Sequence, residues 1–181
     1  WEYVISITLW SHPDLEAVQV YHPLSDKTMD RLMYKLRSRF HSVGVTQKQS
    51  LRYIITRVRE GKQILLGLIA DQNSPPKGDV HWYDFLHHKT LFFEGGEQMA
   101  VKFNLPVLYL SMSRISAGKY RGEVILLYDG VESVEKHEIT ERYVRQLERD
   151  ILREPAAWMW SHRRWKYYPD PVTGEPIYRR E

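Results

Sequence analysis

The sequence contains no cysteine, which excludes disulfide bonds, thiolate metal sites and a cysteine nucleophile. Its formal net charge is only +3, which is too small to indicate a nucleic-acid-binding protein. No apolar run approaches the ~20 residues that a membrane-spanning helix requires. The chain of 181 residues, 43% hydrophobic and 27% charged, has the composition of a soluble globular domain.

Aromatic residues, in contrast, are abundant: they make up 13% of the chain, with 6 Trp and 12 Tyr. Because Trp and Tyr are amphipathic, an excess of them indicates either a large core or a lipid-facing surface. Composition alone favours the core, since aromatic side chains are mostly buried in globular proteins.

Strands and helices alternate along the sequence. Asp26 can cap an amphipathic helix, and a second amphipathic helix stops at Gly61. The continuous apolar run from Ile64 to Ala70 predicts a strand that is buried on both faces. This alternation predicts an α/β fold with a mostly parallel sheet. Further strands are predicted over 16–21, 89–93, 107–112 and 123–128, and further helices around Met99 and over 140–153.

The pair Asp71-Gln72 ends the apolar run. In open α/β sheets, binding crevices form at the carboxyl ends of the strands, so the pair is a candidate for a site wall. The plainer alternative is a polar turn after a strand.

The histidines do not form a metal-binding pattern. His87 and His88 are adjacent, so in an extended segment their side chains would point to opposite faces. No other cluster of His, Asp and Glu has convincing ligand spacing, and we expect no metal.

The segment from His162 to Tyr168 combines three certain positive charges with three aromatic residues. Such a mixture suits single-stranded nucleic acid or an anionic membrane interface. The alternative is a packed C-terminal segment whose tryptophans belong to the core. The small net charge argues against nucleic acid as a partner.

Three blocks, in their order along the chain, resemble the bacterial lipid A biosynthesis acyltransferases. They are Tyr21-His-Pro23, Asp71-Gln72 and the C-terminal stretch Trp158-Met-Trp-Ser-His-Arg-Arg-Trp-Lys166. In that family a catalytic histidine is followed five positions later by an acidic residue, in a stretch that ends Asn-Trp-Glu. Trp1-Glu2 resembles the end of that stretch. The resemblance reaches from Trp1 to about Lys166. It implies a glycerolipid-acyltransferase-like fold, with a mostly parallel central sheet flanked by helices and a helix over residues 3–11.

The resemblance implies that Glu2 is a catalytic residue. In the family the histidine acts as general base on an acceptor hydroxyl, and the acid orients and stabilises the imidazole. That histidine would precede Trp1, so we expect residues 1–168 to be an acyltransferase domain without its anchor and catalytic histidine, inactive by itself. Residues 169–181 are expected to be a mobile tail.

Other positions match the family's substrate-binding regions. Arg37 and Arg39 match a basic pair that could hold phosphates of an anionic acceptor, although a solvated helix face is the alternative. At His22 many family members have arginine; histidine is shorter and only partly charged, which leaves a different acceptor open. The full set of expected substrate-binding residues is His22, Arg37, Arg39, Asp71, Gln72, Thr90, Arg164 and Lys166.

The implied activity is transfer of a fatty acyl chain from acyl carrier protein, or acyl-CoA, to a hydroxyl of a lipid A precursor. No cofactor is implied. The expected location of the parent protein is the cytoplasmic face of the bacterial inner membrane. Its expected partners are acyl carrier protein, a lipid A precursor or other anionic lipid, and the membrane surface. Two alternatives stay open: another membrane lipid acceptor, such as a lysophospholipid or aminolipid, and a non-catalytic lipid-binding domain of the same fold.

Overall fold

The structure is a computed structural model that describes residues 12, 14–76 and 78–179. The chain divides into two compact units, Trp1–Ile69 and Ala70–Glu181. The single acyltransferase domain predicted over residues 1–168 stays a prediction, and the helix predicted over residues 3–11 lies outside the described residues. In the described ranges, no helix is long and apolar enough to cross a membrane.

The first unit contains a parallel sheet of three strands with the order β2-β1-β3. Because β1 lies in the centre, it contains the most deeply buried residues of the sheet, Ala17 and Val18. The alternation of strands and helices that the sequence predicts is confirmed here, although the short strand β2 was not predicted. The elements are β1 Glu16–Tyr21, α1 Lys27–Arg37, β2 Val43–Thr46, α2 Gln47–Arg59 and β3 Ile64–Gly67, with a 3-10 turn over Ser38–Phe40 after α1.

The third strand corrects the sequence prediction for the run from Ile64 to Ala70. It ends at Gly67, and all four of its residues are half-buried instead of buried on both faces. The reason is its position in the sheet, because among the residues that the structure describes β3 lies at the edge and pairs only with β1. The expectation that Asp71 directly follows the strand is therefore wrong.

The two helices of this unit begin and end where local chemistry predicts. The Asp26 side chain caps α1 by accepting hydrogen bonds from the backbone N–H groups of Thr28 and Met29, at 2.8 and 2.9 Å. Gly61 follows α2 with φ of 67°, a left-handed conformation that glycine adopts without strain. Whereas α2 buries Ile54 completely, α1 buries none of its residues.

Over the described residues 70–76 and 78–179, the second unit contains three antiparallel sheets, each of two strands. In the part of the chain that the structure describes, a parallel sheet is therefore confirmed only in the first unit. The predicted neighbours around 107–112 and 123–128 form one long hairpin, β6–β7, which turns at Gly118 with φ of 71°. The predicted strand over 89–93 is shorter and begins one residue earlier. The elements are β4 Tyr83–Phe85, β5 His88–Thr90, α3 Gly95–Phe103, β6 Val107–Ser116, β7 Lys119–Tyr128, α4 Glu138–Arg153, β8 Tyr167–Pro169 and β9 Pro176–Tyr178.

The last two strands, β8 and β9, form a hairpin with Tyr167 opposite Tyr178. This hairpin occupies most of the segment for which the sequence predicts a mobile tail, and the mobility stays a prediction.

Aromatic side chains form the core of the second unit. Phe92 packs edge-on against Tyr83 and Phe85, with ring centroids 5.6 and 5.2 Å apart. The apolar face of α4 covers these rings with Val144 and Ile151, among others. In this unit, aromatic residues therefore form a large part of the core, as the aromatic excess of the sequence favours.

We predict that Phe85→Ala lowers the free energy of unfolding by about 3–5 kcal/mol, because Phe85 is fully buried and its removal leaves a cavity among neighbouring rings. Urea unfolding followed by circular dichroism measures this loss. The matched control is Phe93→Ala, since Phe93 is half-exposed. Equal losses in the two variants would contradict the assignment of Phe85 to the core.

Candidate functional site

The C-terminal segment 158–166 is bound to β5 and the residues that follow it by two consecutive side chains. The guanidinium group of Arg164 donates a hydrogen bond to the carbonyl oxygen of Leu91 at 2.6 Å. Its central carbon lies 4.3 Å from the ring centroid of Phe92, a cation–π contact. The indole N–H of Trp165 donates to the Thr90 hydroxyl at 2.9 Å. The segment is thus packed against the core.

Arg164 is a buried cation. Only 2% of its surface is exposed, and burial lowers the pKa of Arg164 to about 10, while the negative charge of Asp71 opposes this shift. Arg164 therefore stays positively charged at neutral pH. Within the described part of the chain, its Nε atom is buried and has no hydrogen-bond partner, an arrangement that costs free energy unless another interaction offsets it.

Asp71 is the anionic group of this region. It is half-buried, and one of its carboxylate oxygens accepts a hydrogen bond from the Trp158 indole at 3.3 Å. Burial raises the pKa of both Tyr109 and Tyr143, and the charge of Asp71 adds to the effect on each. Asp71 therefore lies within electrostatic reach of Arg164 and two core tyrosines.

A further contact holds the backbone next to Asp71. The backbone N–H of Asn73 donates a hydrogen bond to His162 Nε2 at 2.9 Å. We did not predict a role for His162, although it lies inside the C-terminal block that carries the family resemblance. The loop after Asp71 is thus fixed by the same C-terminal segment that holds Arg164.

The structure brings three of the predicted substrate-binding residues, Asp71, Thr90 and Arg164, into one region of the second unit, which we call the Arg164 cluster. The cluster comprises these three residues with Leu91, Phe92, Trp158, His162 and Trp165. Gln72 is exposed, and Lys166 is half-buried, with its backbone carbonyl accepting the N–H of Arg179 at 2.8 Å.

The remaining predicted residues do not belong to the second unit. His22 is exposed and its ring contacts the Pro23 carbonyl at 3.0 Å. The Arg37 guanidinium lies 5.6 Å from the ring centroid of Tyr21. Arg39 lies in the 3-10 turn after α1, and Glu2 lies outside the described residues. Their predicted roles in substrate binding and catalysis stay predictions.

A second polar cluster was not predicted from the sequence, because its members are far apart along the chain. Glu94 accepts a hydrogen bond from the Tyr83 hydroxyl at 2.6 Å and contacts the His137 ring at 2.7 Å. Glu97 accepts the backbone N–H groups of His137 and Thr140, at 2.7 and 2.8 Å. These bonds satisfy donors at the start of α4, so the cluster serves as a helix cap. Over residues 12, 14–76 and 78–179, no group of three or more metal-binding side chains occurs.

We predict that Arg164→Met reduces the free energy of unfolding by less than half of the loss caused by Arg164→Ala. Methionine fills much of the volume of the arginine stem and removes the cost of burying a charge, whereas alanine leaves a cavity beside Phe92. Urea unfolding of both variants measures the difference. Equal losses would mean that the charge itself, and not its packing, stabilises the unit.

Comparison with known proteins adds the final observation. A family model described as bacterial lipid A biosynthesis acyltransferase matches residues 2–167, a range that includes the whole Arg164 cluster. No curated protein matches the sequence. The family resemblance predicted from the sequence is confirmed. Because the match extends over most of the 181 residues, the chain belongs to the bacterial lipid A biosynthesis acyltransferase family.

Proposed function

We propose that this chain is the acyltransferase domain of an enzyme that transfers a fatty acyl chain from the thioester of acyl carrier protein to a hydroxyl of a lipid A precursor. The observation that carries the proposal is the family match over residues 2–167, which includes Glu2 as well as the Arg164 cluster. Acyl-CoA is the alternative donor, since its reacting thioester is the same. The proposed location is the cytoplasmic face of the bacterial inner membrane, where the enzyme would bind such a precursor.

The proposed chemistry is direct transfer with a general base. The histidine of the family's motif accepts the proton of the acceptor hydroxyl, and Glu2 orients that imidazole and stabilises its positive charge. The hydroxyl oxygen forms a bond to the thioester carbonyl carbon, and the carbon–sulfur bond then breaks. The departing thiolate receives the proton from the imidazolium, so no cofactor is required.

The Arg164 cluster supports this chemistry by positioning a negatively charged wall. Because Arg164 is 2% exposed, we propose that it acts through Asp71 and the C-terminal segment instead of touching a phosphate of the acceptor. Its positive charge attracts the Asp71 carboxylate, and the Trp158 indole donates a hydrogen bond to one carboxylate oxygen of that residue. In this proposal Asp71 faces the substrate and Arg164 is a positioning residue.

A second acceptor class has one observation in its favour. Where many family members have an arginine, this chain has the exposed His22. Histidine binds a phosphate more weakly at neutral pH, which suits a less anionic acceptor such as a lysophospholipid or aminolipid. Offering the enzyme equal concentrations of a lipid A precursor, a lysophospholipid and an aminolipid separates these classes by mass spectrometry of the products.

We predict that Glu2→Ala lowers the rate of acyl transfer by roughly one to two orders of magnitude, the scale of general-base assistance. The full product of the gene that encodes this chain is incubated with acyl carrier protein bearing a labelled acyl chain and with the lipid A precursor. Glu2→Gln, which keeps the size of the side chain and loses its charge, serves as the matched variant. Unchanged turnover in both variants would contradict the role of Glu2, and absence of transfer to any acceptor would support a non-catalytic lipid-binding domain.

We predict that Asp71→Asn slows transfer at least about tenfold, because the variant keeps an oxygen for the Trp158 indole but loses the negative charge of the site wall. The control is Asp79→Asn, which makes the same substitution at an exposed position in the following loop. Both rates are measured at saturating donor, after circular dichroism confirms folding. If the two variants lose the same activity, Asp71 has no special part in the site.

A further inference from the structure

The turn that joins β4 to β5 has a strained backbone. Phe85 pairs with His88 across the hairpin, so the loop contains only two residues, Leu86 and His87. Their φ angles are 49° and 64°, in the left-handed region that a two-residue turn of type I′ requires at both positions. Asn-Gly and Asp-Gly are the preferred pairs there, because a bulky side chain is strained at positive φ. The conformation of this turn therefore depends on contacts with the rest of the unit.

Helix α4 supplies these contacts through two charged side chains. The Glu148 carboxylate accepts a hydrogen bond from the backbone N–H of Leu86 at 2.7 Å. Its other oxygen lies 2.5 Å from one guanidinium nitrogen of Arg145, and a second guanidinium nitrogen donates to the carbonyl oxygen of Asp84. The Glu148 side chain is only 19% exposed, and hydrogen bonds to a carboxylate are stronger where water is excluded. The two side chains thus hold the backbone of the hairpin at Asp84 and at Leu86.

The turn also determines how β5 meets the Arg164 cluster. The Thr90 hydroxyl accepts the indole N–H of Trp165 at 2.9 Å, and the carbonyl oxygen of Leu91 accepts the Arg164 guanidinium at 2.6 Å. The His88 ring lies 5.0 Å from that of Trp165, between ring centroids. The turn sets the register of a hairpin, and a shift of one residue would move each side chain of β5 to the opposite face. The contacts of the cluster therefore depend on the conformation of the turn.

We propose that Glu148 is a positioning residue for the acyltransferase site and that it acts through the β4–β5 turn. By holding Leu86 in its left-handed conformation, Glu148 keeps β5 in the register that the C-terminal segment 158–166 binds. Glu148 itself does not contact the substrate in this proposal. The expected effect on the reaction rate rests on the proposed function, whereas the effect on the turn is measured without any substrate.

The first test is hydrogen exchange, followed by mass spectrometry, of backbone amides in residues 83–92. Glu148→Ala is expected to raise the exchange rate there at least about tenfold, because the turn loses its acceptor and opens locally. Glu148→Gln is expected to raise it by less than about threefold, since its amide oxygen still accepts the Leu86 N–H. Unchanged exchange in Glu148→Ala would overturn the proposal.

The matched control is Glu141→Ala, the same substitution one and a half to two turns earlier in α4. Glu141 also forms an ion pair with Arg145, at 2.8 Å, but the carboxylate that accepts the Leu86 N–H belongs to Glu148. Its expected effect on exchange in residues 83–92 is less than about twofold. An equal effect in the two variants would assign the result to the charge of the helix and overturn the proposal.

The second test replaces the strained turn in the full product of the gene. Leu86→Asn with His87→Gly introduces the pair that forms this turn most readily, so the turn no longer depends on Glu148. Glu148→Ala is expected to slow acyl transfer about tenfold in the unaltered turn and less than about twofold in the Asn-Gly turn. Each rate is compared with that of its own parent, which makes the experiment a double-mutant cycle.

The cycle separates positioning from a general loss of stability. If Glu148 only stabilised α4, its removal would slow transfer equally with either turn, and this result would overturn the proposal. Expected hydrogen exchange with unchanged transfer rates would likewise show that the turn does not position the site. A parent enzyme that transfers no acyl chain to any acceptor would instead contradict the proposed function, and the exchange measurement would still decide whether Glu148 holds the turn.

Discussion

Packing of the buried Arg164 side chain against the Phe92 ring is the interaction on which the second unit depends. Removing this charge from water is costly, and the cost is offset by the Leu91 carbonyl, the Phe92 ring and the nearby carboxylate of Asp71. These partners come from two separate places in the sequence, residue 71 and residues 91–92, and one side chain brings them together. Trp165 and His162, on either side of Arg164, add hydrogen bonds to the same regions. The C-terminal segment thus determines where the loop after Asp71 lies.

The helices of the two units are packed in different ways. In the second unit, α4 buries its apolar face against aromatic rings, so its position is determined by the core. In the first unit, α1 contacts the sheet through Tyr34, which fits beside the small Gly44, and the apolar side of the helix remains open. The absence of a side chain at Gly44 therefore leaves room for the Tyr34 ring, since an added Cβ would lie 3.1 Å from it.

Sequence reasoning succeeded where local chemistry decides the structure. The Asp26 cap, the glycine after α2 and the turn at Gly118 are properties of a few neighbouring residues, and the elements that they bound were predicted. It failed where the structure depends on residues that are far apart in the sequence. The half-burial of β3 follows from its place at the edge of the described sheet, and the hydrogen bond between Glu94 and His137 joins residues 43 positions apart. The sequence selected Asp71, Thr90 and Arg164, which the structure brings into one cluster, and their roles in substrate binding stay predictions. A basic residue among aromatic residues gave no sign that Arg164 would be buried.

The central claim is that Asp71 and Arg164 act as one unit, coupled through charge within a packed cluster. A double-mutant cycle on the free energy of unfolding tests it most directly, with Asp71→Asn, Arg164→Met and the combined variant measured by urea unfolding. The account predicts a coupling energy of at least about 0.5 kcal/mol, as found for residues in one network. Losses that simply add, within about 0.3 kcal/mol, would show that the two residues are independent and would contradict the account.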